Sequence, residues 1–160
     1  MALSTTQSIW RSGGGDNTRT AYCGSGVMAA TFYVDGAMTV DDTPAKVTAT
    51  NSAPIILPAG AVVVSINFRG NVTGVGPTFD LGLNNNSGST YVGLVDAGDA
   101  TANETIDLNT TNALSVIGTN YSPDSLMTVI ARVSGTWTSG AVTGQILYYV
   151  TDPLGGQQNV

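Results

Sequence analysis

The feature of this chain that most constrains its fold is its division into short β-prone runs by turn residues. Twenty Gly and 6 Pro interrupt 160 residues, and the runs between them are rich in Val, Ile, Thr and Tyr. Runs of this kind favour strands over helices. There are roughly eight to ten of them, spaced about 8 to 12 residues apart, which is typical of an antiparallel sandwich or barrel. We therefore predict an all-β fold, an antiparallel two-sheet sandwich that is jelly-roll-like and has an extended N-terminal arm.

The clearest strand covers residues 61–69. Its two alternating sets are Val62, Val64, Ile66 and Phe68 on one side and Val63, Ser65, Asn67 and Arg69 on the other. This period of two predicts a half-buried strand, with the first set facing the core. Further strands are predicted at 27–34, 45–51, 54–57, 78–83, 90–95, 104–108, 126–133 and 143–151. Asp35 and Gly36 predict a hairpin turn, after which 37–40 returns beside the first strand.

The length suits a single domain with short appendages. Residues 1–20 contain few large apolar side chains and include the glycine-rich run 12–16, so we predict a flexible N-terminal arm. The β-sandwich domain is predicted at 21–152 and a polar C-terminal tail at 153–160. In one interpretation, this arm docks on a neighbouring subunit through the tryptophan that precedes its glycine hinge. In the other it is a disordered terminus.

The last predicted strand is apolar on both faces. Ile146, Tyr148 and Val150 occupy one face, and Leu147 and Tyr149 occupy the other. Because an isolated sandwich covers only its inner face, the second face needs a cover from an arm, from one of the chain's own loops or from a neighbouring subunit. We predict a homo-oligomer, with a trimer ahead of a dimer. The predicted assembly interface consists of Leu3, Ile9, Trp10, Arg11, Leu147 and Tyr149.

The side chains needed for common catalytic chemistry are scarce. The chain has no histidine and a single cysteine, Cys23, and Lys46 is its one lysine. A Ser-His-Asp triad is therefore impossible, and no imidazole serves as a base or metal ligand. We expect that the protein is not an enzyme and that it has no catalytic residues, no cofactor and no bound metal. The acidic stretch 96–104 offers oxygen ligands for Ca²⁺, although it lacks EF-hand spacing.

Charge and targeting features narrow the choice of partners. The formal net charge is −6, and the five cationic residues are dispersed along the chain, so we expect no nucleic-acid partner and no binding to anionic membranes. The N-terminus lacks the basic and apolar regions of a signal peptide, and no run approaches the roughly 20 apolar residues of a membrane span. These features predict synthesis in a cytoplasm.

Three stretches resemble small structural proteins of tailed bacteriophages. They are LPAGAVVVSINFRGN, GPTFDLGL and TGQILYYV, within residues 56–151. In those phage proteins a Pro-Ala-Gly turn precedes an apolar strand, and a Thr-Gly strand with alternating apolar residues comes last. The resemblance implies a capsid decoration, or cement, protein on the outer capsid surface of the virion, made in the host cytoplasm. Its implied partners are the major capsid protein of the same virion and further copies of itself.

A second interpretation is a receptor- or glycan-binding module of a phage tail or fibre. Jelly-roll domains carry many functions, so the fold alone does not choose between the two. Aromatic side chains stack on sugar rings. The candidates for such a platform are Trp10, Tyr91, Tyr121 and Trp137.

Overall fold

The computed structural model describes residues 27–38, 43–85, 91–107, 117–118 and 126–150. These ranges form nine strands and contain no helix, so no helix in them is long and apolar enough to cross a membrane. The strands are β1 (Met28–Asp35), β2 (Thr43–Pro44), β3 (Ile56–Leu57), β4 (Ala61–Gly70), β5 (Thr73–Asn85), β6 (Tyr91–Asp99), β7 (Asn103–Ile106), β8 (Met127–Ser139) and β9 (Ala141–Val150). The predicted arm and C-terminal tail lie outside the described residues.

The strands form two antiparallel sheets. The four-stranded sheet has the order β1-β9-β4-β7, and the five-stranded sheet has the order β2-β8-β5-β6, with β3 also paired to β8. Pro44 of β2 lies opposite Ile130 and Ile56 of β3 lies opposite Thr128, so β2 and β3 follow one another along β8 as one interrupted edge strand.

The pairing follows the path of a jelly roll. The first strand pairs with the last, β2 and β3 pair with β8, β4 pairs with β7, and β5 pairs with β6. The first half of the chain is thus paired antiparallel with the second half. The resulting ribbon is rolled up so that it forms two facing sheets. This confirms the predicted all-β, two-sheet sandwich.

The core lies between the sheets and draws on both. Ile66 and Ile146 are fully buried from the four-stranded sheet, as are Leu81 and Val129 from the five-stranded sheet. Apolar side chains at alternate positions fill this space because successive residues of a strand point to opposite faces. The inward-facing side chains of both sheets therefore form one continuous core.

The predicted hairpin at Asp35 and Gly36 is wrong in its second half. A turn is present, in which Met38 N donates to Asp35 O, but the Met38 carbonyl then accepts from Val133 N of β8 in the other sheet. Met38 is buried in the core. The chain therefore crosses between sheets here, and the partner of β1 is β9, which is distant in sequence and invisible to local turn chemistry.

The predicted faces of the strand at 61–69 are partly wrong. Ile66 and Phe68 face the core as expected, but Val63 joins the core cluster in place of Val62. The cause is a register shift between Val63 and Ser65 in the pairing with β9. A β-bulge of this kind adds one residue to a strand and reverses the alternation on one side of it.

Several strands are longer than predicted. β5 begins at Thr73, ahead of the predicted strand at 78–83, and β8 continues to Ser139, beyond the predicted strand at 126–133. The extension contains register shifts and Gly135 with φ of 76°, whose missing Cβ leaves room for the carbonyl of Gly76. Glycines signal turns in sequence, so a glycine-containing strand extension escapes prediction.

Candidate interaction face

The outer face of the four-stranded sheet is the candidate functional surface. Cross-strand partners share a face, so the registers define its rows. One row contains Tyr33, Thr143, Arg69 and Asn103, and the next contains Thr31, Gln145, Asn67 and Thr105. A third row contains Ala29, Leu147 and Ser65, and the pair Tyr149 and Val62 follows. The face therefore changes from polar at one end to apolar at the other.

The polar end holds a shallow depression. It has a volume of about 330 Å³ and is lined by Tyr33, Arg69, Asn71, Gly140, Ala141 and Thr143. Asn71 is fixed there because its Oδ1 accepts a hydrogen bond from Ala141 N at 2.8 Å. In the next row, Thr105 Oγ1 donates to Asn67 Oδ1 at 2.8 Å. An exposed guanidinium beside a tyrosine, an amide and a hydroxyl can donate to the oxygens of a carboxylate or a sugar.

The apolar end contains the two described residues of the predicted assembly interface. Leu147 and Tyr149 of β9 are both half-buried on the outer face, while Ile146 and Val150 on the opposite side are buried. Val62, the cross-strand partner of Tyr149, is buried on the outer face as well. Leu147 and Tyr149 thus keep part of their surface exposed at this end of the face. Leu3, Ile9, Trp10 and Arg11 lie outside the described residues.

An ion pair ties the edge of this sheet to the segment between β2 and β3. Lys46 Nζ lies 2.6 Å from Asp35 Oδ2, and both side chains are about three-quarters buried. Asp35 Oδ1 also accepts from Ala37 N at 3.1 Å. The backbones of Lys46 and Tyr33 exchange two hydrogen bonds next to this pair. The single lysine of the chain therefore fixes the corner where the two sheets meet.

The acidic stretch 96–104 is organised as a turn. Asp99 Oδ1 accepts from Thr101 N at 2.8 Å and from Thr101 Oγ1 at 2.7 Å. Both hydrogen bonds lower the pKa of Asp99 from its ordinary value of 3.8, and the bond from the Thr101 backbone N–H has the larger effect. In the described ranges no group of three or more His, Cys, Asp or Glu side chains converges to hold a metal ion.

Of the four aromatic side chains suggested as a platform for sugar binding, the structure describes only that of Trp137. Trp137 is half-buried and packs against the core, and its Nε1 donates to the Ser134 carbonyl at 3.0 Å. The side chains of Trp10, Tyr91 and Tyr121 lie outside what the structure describes. Tyr33, which borders the polar depression, is the described aromatic side chain best placed for stacking.

Sequence reasoning missed a group of exposed apolar side chains at one corner of the sandwich. Val27, Met28, Ile56 and Leu126 have between 39% and 61% of their surface exposed. Val27 and Met28 open β1, Ile56 is in the edge strand β3, and Leu126 precedes β8, to which β3 is paired. These residues are distant in sequence, so only the strand order brings them to the same end and edge.

The chain was compared with known proteins. No protein family and no curated protein sequence matches it. A solved structure described as "Cyanophage Pam1 capsid asymmetric unit" is similar over 84% of this chain and 94% of that chain, with 20% identity and a TM-score of 0.41. This likeness is too weak to identify a family or a function.

Proposed function

We propose that the protein is a structural component of a tailed-phage virion that decorates the capsid and cements neighbouring capsid subunits. The observation that carries this proposal is the outer face of the four-stranded sheet, where Leu147 and Tyr149 are half-buried on a strand whose other side fills the core. Such a surface suits docking to a protein shell. The stretches that resemble phage structural proteins supply β4, β9 and part of β5.

The proposed mechanism is mechanical. Each copy buries apolar surface across a junction between capsid subunits, so that rupture of the shell must also break these added contacts. Many weak contacts of this kind together give high avidity without a strong single site. A non-catalytic role agrees with the sequence, which has no histidine and a single lysine that is engaged with Asp35.

The proposal is tested on particles assembled without this protein. Such particles should form but rupture at lower temperature, and addition of the purified protein should restore their heat resistance. Cryo-microscopy should then place the added copies on the outer surface of the head. Particles that reach full heat stability without the protein would contradict the cementing role.

The N-terminal arm is included in the proposal as a second contact. Removal of residues 1–15 spares every described strand, since β1 begins at Met28. The shortened protein should therefore unfold at an unchanged temperature but bind particles more weakly. Trp10→Ala should reproduce part of this loss, because a buried tryptophan at an interface hot spot is typically worth ~2 kcal/mol or more. Equal binding by the full-length and shortened proteins would assign docking to the sandwich alone.

The polar depression favours a second candidate function, a glycan- or receptor-binding module of the tail or fibre. Arg69, Tyr33, Asn71 and Thr143 offer hydrogen-bond donors, acceptors and one aromatic ring to an acidic sugar. Titration with host surface polysaccharide tests this function, with Arg69→Ala as the variant that should lose binding. If particles without the protein keep their stability and lose adsorption to cells, this second function replaces the first.

A further inference from the structure

In the described ranges the two sheets have four edges, formed by β1, by β7, by β6 and by β2 with β3. The edge of β1 is the one least protected against pairing with another chain. β7 is only four residues long and carries Glu104. β6 contains Asp96 and Asp99 and is interrupted by register shifts and by Ala97 with φ of 50°. Short strands, charges and irregular backbone each discourage pairing with another chain.

The edge formed by β2 and β3 is protected in a different way. Each of these strands has two residues, and the prolines at 44, 54 and 58 lie in or beside them. Proline lacks the N–H that would extend a sheet. β1 is protected at one end, where Lys46 pairs with Tyr33 and Asp35 ends the strand. The rest of β1 has none of these devices, since it pairs with β9 in an unbroken register and 27–34 carries no charge.

The hydrogen bonds of Tyr33 identify which backbone groups of β1 point away from β9. Tyr33 N donates to Lys46 O at 2.8 Å, and Tyr33 O accepts from Lys46 N at 3.2 Å. Both hydrogen bonds lie along the edge of β1 that faces away from β9. Backbone direction alternates along a strand, so the N–H and C=O groups of Thr31 and Ala29 point the same way. In the described ranges no residue pairs with them on that side.

Apolar surface flanks this open stretch. Val27 is 61% exposed at the start of the edge, and Met28, Ile56 and Leu126 are exposed at the same corner. Exposed apolar side chains grouped beside an unpaired strand are typical of an interaction surface. The strand supplies directional hydrogen bonds and the patch supplies apolar burial.

We propose that β1 pairs with β1 of a second copy of this chain, antiparallel and about a two-fold axis at Ala29. Ala29 then faces Ala29 of the second copy, and Thr31 faces its Val27. The other described sheet edges are protected, so β1 is the edge through which a second copy can pair. We therefore assign the pairing partner of β1 as β1 of a second copy. The pairing brings no like charges together, since the nearest charge in β1, Asp35, is neutralised by Lys46.

The contact is isologous and therefore gives a dimer. It differs from the trimer favoured by the sequence, and it involves the sheet edge, whereas Leu147 and Tyr149 lie on the outer face. It does not depend on the proposed capsid role, because pairing through this edge leaves the apolar end of that face free to dock.

The test measures self-association of the full chain by analytical ultracentrifugation from low to high micromolar concentration. Thr31→Pro removes an outward N–H without touching the bonds to β9, and it should raise the dimer dissociation constant about tenfold or more, equivalent to roughly 1.4 kcal/mol. Thr31→Val keeps the N–H and should associate like the native chain. If Thr31→Pro is misfolded by circular dichroism, Ala29→Lys, which places two ammonium groups on the axis, replaces it.

A cross-linking arm checks the register. Directly paired residues in a hydrogen-bonded antiparallel pair have Cα atoms about 5.5 Å apart, within the range of disulfides. In a Cys23→Ser background, Ala29→Cys should form a disulfide-linked dimer under mild oxidation, and Thr138→Cys, at an exposed site on β8, should not. A chain that stays monomeric, a dimer or trimer insensitive to the change at Thr31, or equal cross-linking at both cysteines would overturn the proposal.

Discussion

Phe68 and Phe79 meet edge to face across the sandwich, with ring centroids 4.9 Å apart and ring planes at 83°. Phe68 belongs to β4 in the four-stranded sheet and Phe79 to β5 in the five-stranded sheet. Both rings are buried. The contact joins two strands that are consecutive in the chain but lie in opposite sheets, and it therefore holds the two layers together near the centre of the core.

Replacing either ring should destabilise the fold, and the two effects should be coupled. Truncation of a buried phenylalanine to alanine costs about 3–5 kcal/mol, which is a large part of a typical domain's stability, so the milder Phe68→Leu and Phe79→Leu are preferred. A double-mutant cycle by urea unfolding should give a coupling free energy of about 0.5–1.5 kcal/mol for the edge-to-face pair. Additive losses would mean that the rings contribute only through their separate burial.

Gly144 makes room for a second phenylalanine. It lies opposite Phe32 in β1 and Phe68 in β4, and a Cβ built on it would come 2.6 Å from Phe32 Cζ and would overlap the Asn67 carbonyl. Gly144→Ala should therefore lower the free energy of unfolding by about 1–3 kcal/mol, the usual cost of overpacking. Thr143→Ala, at the exposed neighbouring position, is the control and should change it by no more than about 0.5 kcal/mol. Similar losses for both variants would contradict the packing role.

The ion pair at the corner should contribute modestly and in a salt-dependent way. Lys46 and Asp35 each retain about a quarter of their side-chain exposure, so solvent screens part of their attraction. Lys46→Gln should destabilise the sandwich by about 0.2–1 kcal/mol at low ionic strength, with a smaller effect in high salt. Thermal unfolding of Lys46→Gln, Asp35→Asn and the double variant measures this, and a coupling that does not change with salt would argue against an electrostatic origin.

Asp99 makes stability depend on pH in acid. Its pKa is lowered from 3.8 by hydrogen bonds from the Thr101 N–H and hydroxyl, so its charged form is favoured in the folded state. A carboxyl with a depressed folded pKa stabilises the fold above its unfolded pKa and loses that contribution as pH falls through the folded pKa. Asp99→Asn should be less stable than the native chain at neutral pH, with the difference vanishing below the folded pKa.

The size of this effect is limited by exposure. Asp99 lies on the surface, so the loss should be at most about 1 kcal/mol after screening. Thr101→Val removes the hydroxyl donor and should raise the pKa of the Asp99 carboxyl towards 3.8, as measured by NMR titration. A pKa unchanged by this substitution would leave the backbone N–H as the sole cause.

The sequence predicts the strands of this fold better than their partners. Alternation locates β1, β4 and β9 because each has an apolar inner face. The pairing of β1 with β9 escapes prediction because the two strands are far apart in the chain. The bulge in β4 escapes it because Val62, Val63 and Val64 are identical residues, so their order does not reveal which one faces the core.

The candidate surface was predictable to a similar extent. Leu147 and Tyr149 are recognisable from sequence because they stand opposite a core-facing set on the same strand. The polar depression around Arg69 and Asn71 combines three strands and two loops, and no local pattern reports that arrangement. The open edge of β1 is likewise a property of sheet order, since an edge strand and a central strand can have the same sequence pattern.

The apolar end of the outer face supports the most direct prediction about function. Leu147→Asp places a charge on the half-buried outer side of β9, where the core on the other side is untouched. The variant should remain folded, with native circular dichroism, but bind capsid particles that lack the protein at least about tenfold more weakly, a loss of roughly 1.4 kcal/mol. Desolvation of the new carboxylate in a docked interface is the physical reason.

The matched control for this experiment is Thr138→Asp, which adds the same charge at an exposed position of β8 in the other sheet. Its particle binding should equal that of the native chain, so that a loss specific to Leu147 reports the face and not the net charge. Tyr149→Asp should behave like Leu147→Asp, because both side chains project from the same side of β9. If Leu147→Asp and Tyr149→Asp bind as well as the native chain while Thr138→Asp does not, the five-stranded sheet is the docking layer.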